Sequence, residues 1–431
     1  MERRRVVITG RGVVLPNANN VDSMMDNLYN GRGSIENVAL RFPWLSGYRS
    51  QVGSLFDDFK LDFAKFGIRE KDLRELSPFV QYTLEAAYQA ITESGFLDGG
   101  DLARENTGVI VGQGLCGIIE LEKQKEIQTQ KGIGRVSPLV SIKTIPDAAA
   151  GFVASQFGLH GQSKSVSSAC ASGADAIKDA YMAILMEDSD IMLGGGTVES
   201  ASPMIYASFG QARALSERNN DPSKASRPFD RDRDGFVIGE GAGMVVLEEL
   251  EHAKKRGANI LGELFGYGAF TDASHPTNPR ADAKYITMAM ETAIKRAGIN
   301  KEQIKYINAH GTSTPGGDGI ECFGIKKVFG DKAYQIPVSS SKSMIGHTLS
   351  AAGAIELIVA LETVRNGKIH TTKNCENPDN NAKYHADITN FQPCDLDYVI
   401  EGTREEKVDY ALSNSFGFFG HDISWVVGKL R

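Results

Sequence analysis

Three short segments of this 431-residue chain carry side chains that could act on a carbonyl. The first, Ser165-Val-Ser-Ser-Ala-Cys-Ala-Ser-Gly-Ala-Asp-Ala-Ile177, places Cys170 where an apolar strand turns into a helix. A thiol in the first turn of a helix meets free N–H groups and the macrodipole, which favour the nucleophilic thiolate. The competing reading is a small buried hydrophobe under a Ser/Ala/Gly turn. The second segment, His310-Gly-Thr-Ser-Thr-Pro315, follows a strand, where α/β folds place their active groups. The third, Ser339-Ser-Ser-Lys-Ser-Met-Ile-Gly-His347, sets Lys342 five residues before a second histidine. A lone histidine at a strand end is more often structural; two in glycine-rich loops, beside a helix-start cysteine, shift that balance. Neutral imidazoles at His310 and His347 could donate hydrogen bonds to an oxygen that gains negative charge. A nearby Lys342 ammonium would oppose their protonation. Glu356, on the following helix, either balances Lys342 or is an ordinary exposed carboxylate. Zinc is the weaker reading of Cys170, His310 and His347, because no paired ligand spacing accompanies them, and no metal is expected.

Stepping the pattern outward shows what must hold these groups. After Cys170, Ile177, Ala180, Tyr181, Ile184 and Leu185 recur at the spacing of a helix with one buried face. Elsewhere one pattern occurs twice. A helix around 77–91 ends at Ser94-Gly95, and the strand Thr107–Val111 opens into Gly112-Gln-Gly114. Likewise a helix around 282–296 ends at Ala297-Gly298, and the strand Ile304–Ala309 opens into His310-Gly311. Ser165-Val-Ser-Ser before Cys170 is echoed by Pro337-Val-Ser-Ser-Ser341 before Lys342. The order implies an internal duplication, with halves at 1–255 and 256–431. Gly112 to Val166 is far longer than His310 to Val338, so the first half carries an insertion suited to a binding or dimer region. Alternating helices and strands with Gly-rich connections predict layered α/β architecture.

Composition bounds the rest. Hydrophobic content of 41%, charged content of 23% and 46 glycines fit a globular α/β protein. A net charge of −7 argues against nucleic acid or an anionic membrane as the main partner. Five cysteines without a CxxC pair argue against a disulfide framework and for a reducing compartment. No stretch reaches the roughly 18 apolar residues of a membrane span, so a cytoplasmic protein is expected. Gly10-Arg-Gly12 follows a strand, but Leu15 stands where a dinucleotide loop needs its third glycine.

Cys170 in Ser-Ala-Cys-Ala-Ser-Gly, His310 in Asn-Ala-His-Gly-Thr-Ser-Thr-Pro, and Lys342 with His347 in Lys-Ser-Met-Ile-Gly-His resemble the signature set of β-ketoacyl-acyl-carrier-protein synthases. The likeness is greatest to the elongating, synthase II-type condensing enzymes. Supporting segments are Gly194-Gly-Gly196, Ala212-Arg-Ala-Leu-Ser216, the run from Ser226 to Gly243, and Asn414-Ser-Phe-Gly-Phe418. The resemblance implies a thiolase-like αβαβα fold of two duplicated halves and a homodimer. It implies ping-pong Claisen condensation: Cys170 takes an acyl group from a carrier-protein phosphopantetheine, and malonyl carrier protein then loses carbon dioxide. By the same resemblance, backbone N–H groups of Cys170 and Phe418 would form an oxyanion hole, and Thr312 and Thr314 would bind the pantetheine arm. Phe236 and Phe418 would shape and gate the pocket, Leu115 would line the acyl tunnel, and Glu356 and Asp318 would support the site. Thr-Ser-Thr-Pro is also a plain turn sequence, and Leu115 could be ordinary core. No resident cofactor is expected.

Two departures stand out. Phe419-Gly-His421-Asp422 replaces the family's usual Gly-Gly-Thr-Asn or Gly-Gly-His-Asn, so Phe419 is expected to lose positive φ and add bulk beside the pocket. That predicts altered loop mobility and an unusual acyl preference. The basic carrier-docking stretch is diluted: Lys65, Arg69, Lys71 and Arg74 alternate with Glu70, Asp72 and Glu75, while Arg213 remains for docking. Alternatives are a condensing enzyme of specialised lipid or polyketide synthesis with a dedicated carrier, and a non-catalytic chain-length-factor-like partner. A cysteine hydrolase needs one histidine and an orienting third residue, and the initiating synthases lack the Lys342–His347 motif.

Overall fold

The computed structural model describes residues 4–67, 76–380 and 392–431. Ten strands form its main sheet. The first half supplies β1 (Val6–Val14), β2 (Thr107–Gly112), β3 (Ser163–Val166), β4 (Ile191–Val198) and β5 (Gly241–Glu249). Its counterpart supplies β6 (Gly262–Thr271), β7 (Ile304–Asn308), β8 (Val338–Ser339), β9 (Tyr410–Gly417) and β10 (His421–Gly428). Outward from the centre, the orders are β1-β5-β4-β2-β3 and β6-β10-β9-β7-β8. In each half the two inner pairings are antiparallel and the two outer pairings are parallel. Antiparallel pairing of β1 with β6, Val6 opposite Leu264, joins the halves. The mirrored order is the duplication that the repeated segments imply.

Helices fill the layers according to their patterns. Pro78–Ser94 (α1) starts with Pro at its first turn and stops at Gly95, φ 64°. Lys284–Ala297 (α3) stops the same way at Gly298, φ 63°. Each buries one face, α1 on β1 and β5, α3 on β6 and β10. Between the sheet halves lie Ser172–Leu185 (α2) and Leu349–Asn366 (α5). Every residue of α5 from Leu349 to Val364 is buried, as an all-round apolar helix must be. It touches β4 and β5 of the first half and β9 and β10 of the second. This is the αβαβα layering that the resemblance implies.

The two central helices cross at glycines. A Cβ on Gly173 would lie 2.9 Å from the Ser350 carbonyl, and one on Gly353 would lie 2.8 Å from the Ala174 nitrogen. The long connection from β2 to β3 contains helices Ile118–Lys131, Val140–Thr144 and Ala148–Phe157. Its counterpart from β7 to β8 contains Gly317–Phe329 (α4) and a short 3-10 segment. Among the described residues no helix is long and apolar enough to cross a membrane.

Candidate active site

The turn after β3 meets the end of β9. Cys170 does not sit in the helix proper: α2 begins at Ser172, and Cys170 occupies the preceding 3-10 turn Ala169–Ala171. Ala169 pays for that turn with φ 50°. The Ser172 hydroxyl ties it down, donating to the Ala169 carbonyl at 2.6 Å and accepting from the Ser168 N–H at 3.0 Å. Gly417 lets β9 close on the turn, since a Cβ there would lie 3.2 Å from the Cys170 nitrogen.

That proximity delivers backbone donors to sulfur. The backbone N–H groups of Phe418 and Cys170 both favour the Cys170 thiolate. Even so, the expected low thiol pKa is overturned. Burial pushes Cys170 up to about 11, outweighing the Lys342 ammonium and the two amides that pull it down. Cys170 is therefore a thiol at neutral pH, because desolvation outweighs the groups that favour its thiolate.

His310 follows β7, its own N–H and that of Gly311 each donating at 2.8 Å to Glu321 of α4. The Asn414 side chain donates to the same carboxylate at 3.1 Å. His347 is held by backbone bonds to Val237 and Gly239, at 2.7 and 3.0 Å. The two imidazoles meet edge to face with centroids 5.4 Å apart. Both are held well below the ordinary histidine range, by burial first and then by Lys342, with His347 adding to the effect on His310. Among the described residues neither buried Nδ1 has a hydrogen-bond partner. Lys342 is 1% exposed and pairs with Glu356, whose carboxyl burial pushes up to about 7 against the pull of that ammonium. The site thus presents a protonated thiol, two neutral imidazoles and one compensated charge.

Around this centre, Phe236 packs edge-on to His347 at 5.5 Å and to Phe209 at 5.3 Å, and Phe418 lies 6.3 Å from Phe209. Thr312 and Thr314 share a hydroxyl–hydroxyl bond of 3.0 Å. Asp318 stands behind them, accepting from Phe229 and Ser313 N–H groups at 2.9 and 3.1 Å, 3.9 Å from Arg233. Leu115 is half-buried against the core that contains α2 and α5. The expectation that Phe419 loses positive φ is corrected: it takes φ 63°, and the residue is 61% exposed. Lys65 is engaged with Glu85 at 3.4 Å and lies over Tyr88, whereas Arg213 is exposed. Arg69, Lys71 and Arg74 lie outside the described residues.

Sequence reasoning missed Glu321 and Phe209, and it quoted Gly417 only as part of a motif. Glu321 had a usable signal, since it lies three residues beyond Asp318, one helical turn along α4. Phe209 and Gly417 reach the site only through tertiary contact. Among the described residues no group of three or more His, Cys, Asp or Glu side chains is arranged for a metal.

Cys170 on one α/β half and His310 and His347 on the other, all three under the charge of Lys342, match the plan of a thiolase-like condensing enzyme. The family models bear on this directly: "Beta-ketoacyl synthase, N-terminal domain" matches residues 3–253, and the corresponding C-terminal domain matches residues 261–376. The chain belongs to the β-ketoacyl synthase family and is an acyltransferase-class enzyme. It is 41% identical over 430 residues to 3-oxoacyl-[acyl-carrier-protein] synthase 2 of Coxiella burnetii, covering 100% of both chains. It is 39% identical to a putative mitochondrial 3-oxoacyl-[acyl-carrier-protein] synthase of Schizosaccharomyces pombe, covering 98% of both. Among solved structures, a β-ketoacyl synthase from Burkholderia phymatum superposes with a TM-score of 0.88 at 32% identity, covering 99% of this chain and 100% of that one. A type II polyketide ketosynthase, solved with its acyl-carrier protein, gives 0.86 at 30% identity over 100% of both chains.

Proposed function

We propose that this protein is an elongating 3-oxoacyl-acyl-carrier-protein synthase of fatty acid synthesis, joining an acyl group on Cys170 to malonyl carrier protein. The carrying observation is that the Phe418 and Cys170 amides act on the Cys170 sulfur while Lys342 acts on that sulfur and on two neutral imidazoles of the other half. In the first half-reaction the Cys170 sulfur attacks the acyl thioester of the carrier's phosphopantetheine. The carrier sulfur leaves with the thiol proton, and the Phe418 and Cys170 N–H groups hold the carbonyl oxygen as it gains charge. In the second, malonyl carrier protein loses carbon dioxide while His310 and His347 donate to the enolate oxygen. Its α-carbon then attacks the acyl-Cys170 carbonyl, the carbon–sulfur bond breaks, and the thiolate regains a proton. Neutral imidazoles suit this step, because each keeps an N–H to donate.

Thr312 and Thr314 hold the pantetheine arm in this reading, Asp318 and Glu356 support the site, and Arg213 and Lys65 meet the carrier. No resident cofactor takes part, the enzyme works in the cytoplasm, and the division falls at 1–255 and 256–431. A homodimer is supported by the two ends of the sheet. The edge β8 is covered through Val338 by Asp397 and Val399, whereas nothing among the described residues pairs with the outer side of β3. Leu121, Ile133, Ile142 and Ile145 are exposed in the adjoining insertion, an apolar surface suited to a second copy.

Intact mass after incubation with acyl carrier proteins of graded chain length tests the nucleophile. The expected result is a gain of one acyl group, lost in Cys170→Ala along with condensation activity by at least about 10³-fold. Acylation that persists in Cys170→Ala removes the proposal.

A further inference from the structure

Behind the Phe418 turn lies a buried carboxylate pair that the proposed chemistry does not use. In β10, His421 stands opposite Thr271 and Asp422 opposite Phe270 of β6. Asp272, the residue after β6, therefore shares a face of the sheet with Asp422, one diagonal step away. The Asp272 N–H donates to the Gly420 carbonyl at 2.9 Å, and the Phe419 N–H donates to Pro276 at 2.7 Å. These two bonds fasten the turn 418–420 onto the loop after β6. The fit is tight: Gly420 has φ 72°, and a Cβ there would lie 2.3 Å from Asp272 Oδ1.

The Asp272 carboxylate is committed to its own loop. Oδ1 accepts from the Ser274 N–H and hydroxyl at 3.0 and 3.1 Å, and Oδ2 accepts from the Arg280 N–H at 3.1 Å. Asp422 has no such donors. It is 3% exposed, and among the described residues nothing hydrogen-bonds its buried Oδ2. Among the described residues no basic side chain pairs with either carboxylate. Arg280 pairs with Asp282 at 2.8 Å, and Lys284 is exposed at the start of α3. On β9 the residue opposite Asp422 is Phe416, with His310 beyond its ring, while Glu321 is bonded to the His310 and Gly311 amides. Burial, then the Asp272 charge, raises Asp422 to about 8. A carboxyl without donors in such a place is stable as the neutral acid.

We propose that Asp422 is a positioning residue for the Phe418 turn, held neutral so that the turn closes on Asp272, and that ionising it drives the two segments apart. Its proton goes to solvent, and a second negative charge then faces Asp272 across a junction held by two backbone bonds and one strained residue, Phe419. The turn's movement follows from the burial of Asp422 beside Asp272 and its ionisation; only its catalytic consequence rests on the proposed function of the Phe418 N–H.

Hydrogen–deuterium exchange of the full chain, corrected for intrinsic pH dependence, reads the turn directly. Between about pH 6.5 and pH 9, peptides spanning 415–424 should exchange faster by about threefold or more, while α2 peptides hold constant. Asp422→Asn, which keeps the shape and stays neutral, should abolish that rise. In Asp272→Asn the midpoint should move to lower pH, because the neighbouring charge is gone. Identical profiles in wild type and Asp422→Asn, or an unmoved midpoint in Asp272→Asn, would overturn the assignment. Cys170 acylation measured alongside separates the two readings: if exchange responds and acylation does not, the turn device stands and the Phe418 oxyanion assignment fails.

Discussion

The turn that carries Cys170 and the turn that carries Lys342 and His347 occupy matching places in the two halves. Each follows an edge strand, β3 or β8, and each precedes a central helix, α2 or α5. The first is a strained 3-10 turn that leaves Cys170 half-buried. The second is a short helix, Lys342–Ile345, then Gly346 at φ 70°, with every residue from Ile336 to Ser350 buried. One copy of the scaffold presents Cys170 near the open edge of the sheet; the other buries Lys342 and His347. A single cause then acts on both with opposite signs. Desolvation raises the thiol and lowers the imidazoles, so each reactive group is held in its neutral form.

The sharpest way to break this division is to remove the donors. His310→Ala and His347→Ala should each slow malonyl decarboxylation by about 10²–10³-fold while Cys170 still acylates. Equal loss of both half-reactions would mean that the halves do not divide the chemistry. Next comes Lys342→Ala, which strands Glu356 in the core and should cost about 3–5 kcal/mol in denaturant unfolding. Pairing it with Glu356→Gln removes the stranded carboxylate and isolates the electrostatic effect. Lys342 lowers both imidazoles, so without it they titrate at higher pH, and the acid limb of decarboxylation should shift upward. An acid limb that stays put would show that burial alone keeps them neutral. The smallest effect belongs to the junction between the halves: Gly353→Ala meets the Ala174 backbone and should cost about 1–3 kcal/mol. A thermal midpoint equal to wild type would show that α2 and α5 can part without cost.

Much of this was readable in advance, for local reasons. Gly95 and Gly298 mark the ends of α1 and α3 because only a left-handed cap ends a helix cheaply there. Ser-Val-Ser-Ser before Cys170 and Val-Ser-Ser-Ser before Lys342 betray the duplication because both precede a central helix. The misses have a different origin. A helix start by itself favours the Cys170 thiolate, yet the helix begins two residues later and burial dominates. Phe419 was judged by residue type, yet two backbone bonds hold the turn in a conformation that phenylalanine rarely adopts.

The chemical inventory, a cysteine, two histidines and a lysine in glycine-rich turns, is a property of the sequence, and so is the two-fold plan that displays it. Which proton each group holds is not. Burial and the approach of charges remote in the chain, such as Lys342 to Cys170 or Asp272 to Asp422, are sums over the folded surroundings, and they exist only once both halves have closed around α2 and α5.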